Sequence, residues 1–130
     1  HKTNASGEKY IAYCFHSVDG FSKIGHYIGN ANADGPTINC GFRPAWVLIR
    51  RTAGGSDWCI YDSKRLGFNV DNNLMRIGQS AAPTEQTDDD IDFYSTGFKL
   101  RRSSTNFNGT GNTHVFLAFS EQAFKYANAR

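Results

Sequence analysis

Apolar and polar positions follow the two-residue period of β-structure along most of the chain, and almost nowhere the wider spacing of an amphipathic helix. Residues 10–16 (Tyr10, Ile11, Ala12, Tyr13, Cys14, Phe15, His16) form an apolar, aromatic-rich run, which predicts a buried strand. Asp19-Gly20 marks a turn. Residues 21–28 partly alternate, predicting a second, half-solvated strand. Residues 30–36 read Asn-Ala-Asn-Ala-Asp-Gly-Pro, a loop of turn formers. Residues 44–51 are rich in β-branched and aromatic side chains and begin with Pro44, which a strand tolerates at its first position. Trp46 in this strand is assigned to the core. Gly54-Gly55 then turns the chain, and residues 57–62 return as the partner strand. In that partner, Trp58 and Ile60 share one face while Cys59 and Tyr61 share the other. The greater bulk of Trp58 and Ile60 places them inside.

Residues 63–73 are polar, with Leu66 and Phe68 as anchors. Residues 74–77 predict a short strand, and residues 78–90 a surface loop. Residues 91–94 and 97–101 flank Ser95-Thr96 as a hairpin. Residues 103–112 form a Gly/Asn-rich loop. Residues 113–120 are apolar on both parities, so the last strand is buried on both sides. The one helix candidate is residues 121–129. Residues 11–16 and 115–120 also echo each other, as two aromatic-rich runs each followed by a Phe and a Lys. Eight or nine short strands with frequent turns predict an all-β, antiparallel β-sandwich rather than a barrel, its first and last strands paired in one sheet. Residues 1–8 read as a flexible lead-in and residues 9–130 as a single domain.

Composition agrees. The chain has 130 residues, and a 14% aromatic content lets a modest 39% hydrophobic fraction close a core. Thirteen glycines and one methionine argue against a helical bundle. The net charge is +2 with no polybasic run, which gives no footprint for nucleic acid. No apolar stretch approaches the roughly 20 residues of a membrane span, so no membrane insertion is expected. Cys14, Cys40 and Cys59 are odd in number and widely spaced, and read as buried small hydrophobes. The polar start without Met suggests the end of a longer protein, with no secretory leader.

Three stretches carry a resemblance. They are residues 10–30, including Gly20-Phe21-Ser22-Lys23-Ile24-Gly25; residues 41–51, Gly-Phe-Arg-Pro-Ala-Trp-Val-Leu-Ile-Arg-Arg; and residues 118–130, with Ala118-Phe119-Ser120-Glu121 and Phe124-Lys125-Tyr126. Together they resemble the C-terminal domains of tailed-bacteriophage tail-fibre and spike proteins, which have a concanavalin A-like (laminin-G-like) jelly-roll fold. The resemblance spans nearly the whole chain and implies a virion structural domain assembled in the host cytoplasm. Its implied partners are host-surface glycans or a receptor, other virion proteins, and copies of itself in a homotrimer. It supplies no catalytic motif.

The residues themselves offer no catalytic set. His1, His16, His26 and His114 lack metal spacing, and no nucleophile elbow or phosphate loop occurs. A glycosidase needs two carboxylates roughly 5–10 Å apart in a cleft. Asp57 and Asp62 point to opposite faces by parity, and Asp88, Asp89, Asp90 and Asp92 cluster in one loop. That loop reads as a solvated acidic surface, with Ca²⁺ as the ion its oxygen ligands would suit. A glycan site needs an aromatic plate and planar polar groups. The candidates are Trp58, Tyr61, Asp62, Lys64, Arg65, Asn72 and Asn73, and in the late loop Asn106, Phe107 and Asn108. A non-enzymatic binding module is therefore the leading expectation. A carbohydrate-active enzyme on the same sandwich, or a cellular lectin-like domain, are the alternatives.

Overall fold

The computed structural model describes residues 5–66, 68–70, 73–77, 84–85 and 89–121. Its elements run in the order β1 (Ser22–Ile28), β2 (Thr37–Asn39), β3 (Pro44–Arg51), β4 (Trp58–Asp62), β5 (Asn73–Ile77), β6 (Thr84–Glu85), β7 (Ile91–Tyr94), β8 (Gly97–Leu100), α1 (Thr105–Asn108) and β9 (Thr113–Ser120). Two antiparallel sheets result, one ordered β1-β9-β3-β4-β5-β6 and the other β2-β8-β7. The predicted all-β sandwich is observed. The first strand, β1, pairs with the last, β9, along its whole length.

The core lies between the sheets. The larger sheet contributes Val47, Ile49, Cys59, Tyr61, Phe116 and Ala118, and the smaller one Ile38, Ile91, Phe93, Phe98 and Leu100. Phe98 and Phe116 meet edge to face across the gap, with ring centroids 5.5 Å apart. Each large apolar side chain so buried contributes roughly 1.5–3 kcal/mol. At one end of the sandwich, buried Asn108 ties three segments together. Its Oδ1 accepts from the Asn30 N–H, and its Nδ2 donates to the carbonyls of Asn32 and Arg102. The short α1 that carries it is capped by Ser104, whose hydroxyl accepts from the Asn106 N–H.

Several expectations change. Residues 10–16 form no strand, and Ile11 and Tyr13 are 83% and 80% exposed. Their route is decided at Ser17. Val18 bridges Ser22, so the next rung of that ladder would set His16 against Ile24. Instead the Ser17 hydroxyl accepts from the Ile24 N–H and donates to its carbonyl. Both edge groups are thereby taken, and the chain leaves the edge. The β4 faces are also reversed. Cys59 and Tyr61 point inward, fully buried, while Trp58 and Ile60 point outward. Trp46 lies on that same outward side, half-buried. Phe68, expected as an anchor, is exposed rather than buried. Helix α1 arises inside the loop predicted for residues 103–112, and strand β2 where no element was predicted, both too short to leave a periodic signal. The one helix candidate, residues 121–129, expected to form at most a turn, lies outside the described residues apart from Glu121.

Candidate functional site

The outward face of the larger sheet is built by the same alternation that builds the core. Ile24 of β1 stands beside Leu117 of β9, Leu117 beside Leu48 of β3, Leu48 beside Ile60 of β4, and Ile60 beside Met75 of β5. One apolar row therefore crosses five strands. At about 4.8 Å per strand it is roughly 20 Å wide, on the side away from the core. Sheets that carry apolar residues on both faces are ordinarily covered on both.

Part of the cover comes from the arm of residues 10–16. The Phe15 ring packs edge to face on Phe119, 6.1 Å between centroids, and Phe119 also meets Phe21 and Trp46, each at 5.7 Å. Tyr13 and Phe15 on one side and Ile24, Leu48, Trp58 and Leu117 on the other enclose a groove of about 260 Å³. Trp58 is 38% exposed, and the Arg50 guanidinium sits 5.0 Å from the centre of its ring. Such a contact is worth about 0.5–1 kcal/mol at an exposed site. The groove thus offers aromatic stacking and apolar burial, with one cation at its rim.

The structure scatters the sequence-predicted site residues. Trp58 is at the groove. Tyr61 is fully buried, its hydroxyl donating to the Asp89 carbonyl, and so cannot serve as an exposed aromatic plate. Phe107 is also a core residue, stacked edge to face on Tyr61 at 5.9 Å. Asn108 is buried in the network described above, and Asn106 is half-buried on α1. Burial removes Tyr61, Phe107 and Asn108 from any surface site. Asp62 accepts from the Lys64 N–H, and the Lys64 ammonium pairs with Glu121 at 3.2 Å. Arg65 is half-buried beside them, and Asn73 opens β5. Asn72 and Asp88 lie outside the described residues.

The acidic loop is not a solvated surface where it is described. Asp89, Asp90 and Asp92 are buried, each against an arginine: Arg76 at 3.0 Å, Arg102 at 2.6 Å and Arg101 at 3.2 Å. Arg76 also holds Asp57 at 3.2 Å. Asp57 and Asp89 are thus clamped on one guanidinium, with Asp89 inside the protein. Among the described residues, no group of three or more His, Cys, Asp or Glu side chains is arranged to hold a metal ion. No helix among them is long and apolar enough to cross a membrane.

Sequence reasoning missed the contributions of Tyr13, Ile24, Leu48 and Arg50 to the groove. A signal existed for the face itself, because residues 113–120 are apolar on both parities.

Fold and surface together define the class, an all-β two-sheet sandwich with an apolar outer sheet face. Within it, the chain belongs to the DUF7483 family, a domain of unknown function whose model matches residues 1–123. No curated protein and no solved structure matches it.

Proposed function

We propose that this chain is a non-enzymatic binding and structural module of a tailed-phage appendage, at a fibre or spike tip, with a concanavalin A-like jelly roll. It is carried on the virion after assembly in the host cytoplasm, and it contacts other virion subunits or host-surface glycans. The observation that carries this reading is the apolar row across β1, β9, β3, β4 and β5, which opens into an aromatic groove. A surface of that kind serves contact rather than chemistry. The resemblance of residues 10–30, 41–51 and 118–130 to phage appendage domains supports the virion setting. Trp58, with Arg50 over it, supports a glycan contact at the groove's rim.

Two measurements test the reading together. A glycan array probed with the isolated domain is expected to give hits that weaken about tenfold or more in Trp58→Ala, the scale of a lost aromatic contact of about 1.5 kcal/mol. Immunogold microscopy with an antibody against the domain is expected to label the tails of the particles that encode it. An empty array with unlabelled particles would remove the proposal. Glycan binding that survives Trp58→Ala would remove the groove as its site.

A further inference from the structure

We propose that the groove between arm and sheet is a small-molecule site for an anionic amphiphile: a medium-length alkyl chain held in the groove, its carboxylate on Arg50 at the mouth. This goes beyond the reading above and needs neither a glycan nor a virion. The floor of the groove is aliphatic. Ile24, Leu117 and Leu48 stand side by side on β1, β9 and β3, with Val115 two residues along β9. Tyr13, Phe15 and Trp58 wall it. The lining stops before Trp46 and Phe119, where the Phe15 ring is seated. The groove is therefore blind at the Phe119 end and opens at Trp58. Its volume of about 260 Å³ falls just under the roughly 300–1,000 Å³ of drug-sized pockets, which suits a slender ligand. A floor without polar side chains favours a ligand whose inner end carries no polar atoms.

Charge selects the headgroup. Among the described strands, the charged or titratable outward positions are His26, Arg50, Asp62 and Glu85. They separate by sign. His26 and Arg50 flank Val115 on the rung at the mouth. Asp62, opposite Trp46, and Glu85, opposite Asn73, belong to the blind end. Four residues of strand separate Trp46 from Arg50, about 13 Å. That is beyond the roughly 8 Å over which exposed charges act at physiological salt. Past the blind end, Glu121 is held by Arg43 and Lys64, and Asp57, beside Trp58, is taken by Arg76. Arg101 and Arg102 also face carboxylates, whereas Arg50 pairs with none among the described residues. Its guanidinium lies over the Trp58 ring, which leaves planar N–H donors for a carboxylate arriving at the mouth.

Isothermal titration with monomeric hexanoate, octanoate and decanoate, and with octanol as the neutral twin, tests this. Affinity is expected to rise about twofold to fourfold per methylene, the upper figure being the worth of a CH₂ taken fully out of water. Octanoate should bind more tightly than octanol. In Arg50→Gln, octanoate is expected to weaken about tenfold, the low end for a hydrogen bond to a charged group, while octanol binding stays unchanged and reports an intact groove. The chain-length series in the parent needs no variant. No heat from decanoate overturns the inference, as does octanol binding as tightly as octanoate, or an Arg50→Gln protein that holds octanoate like the parent. Sedimentation with phosphatidylglycerol vesicles in the absence of any binding to monomeric decanoate also overturns it, by making the face a membrane contact. These outcomes leave the glycan array and particle labelling to judge the earlier reading separately.

Discussion

His114 is fully buried in β9, its ring parallel to that of Tyr27 with centroids 4.9 Å apart. Nδ1 lies 3.1 Å from the Asn112 carbonyl and Nε2 3.1 Å from the Asn106 carbonyl. A neutral imidazole can donate to only one of them. Burial nonetheless pushes its pKa below the ordinary histidine value; the two carbonyls oppose that, and Arg51 adds to the lowering. The folded protein then holds this proton less tightly than the unfolded chain, whose histidine titrates near ~6.5. The associated stability is complete above about pH 6.5 and is lost as pH falls through the folded value. The urea midpoint is accordingly expected to drop between about pH 7 and pH 5, and the drop to shrink in His114→Gln. A midpoint flat across that window in the parent would contradict the assignment. None of this was legible in the sequence, where His114 is one polar residue in an apolar run. Its burial depends on Tyr27, 87 positions away, and on the backbone of α1.

At the scale of elements, the hairpin of β7 and β8 was read correctly because its signals are local: two apolar runs and a two-residue turn. The third strand of that sheet was not read, since β2 has three residues and exists through its pairing with β8. Gly97 permits that pairing. A Cβ there would run into the Ile38 carbonyl oxygen. Gly97→Ala is therefore expected to force β2 away from β8 and to cost about 1–3 kcal/mol, by overpacking. Urea denaturation measures it, and a loss under about 0.5 kcal/mol would show that β2 moves aside freely. The arm teaches the converse. Residues 10–16 have a strand's composition, yet Ser17 occupies the rung on which a strand would begin. A hydroxyl competing for two backbone groups outweighs a favourable pattern.

For the molecule as a whole, the sandwich sorts three cysteines that look alike in sequence. Cys14 is exposed on the arm, while Cys40 and Cys59 are buried, so the reading of all three as buried hydrophobes holds for two. Burial pushes the Cys40 thiol up to about 11 and that of Cys59 up to about 12. A maleimide or disulfide reagent near pH 7.5 is expected to label one thiol quickly. The other two should react only as the core opens, with rates that rise in urea alongside global unfolding. Three fast thiols in the native protein would mean that the sheets do not close over Cys40 and Cys59.

The sequence by itself determined the β class, the positions of most strands and the turns between them. Those features rest on a two-residue period and on residues that bend the chain, which act over a few positions. It did not determine which side of β4 faces the core, nor where residues 10–16 lie. Alternation says that a strand has two faces. When both are apolar, only what packs against them from elsewhere in the chain decides which is buried first. Tyr61 is inside because Phe107 meets its ring there and the Asp89 carbonyl takes its hydroxyl, and Trp58 is left outside as the consequence.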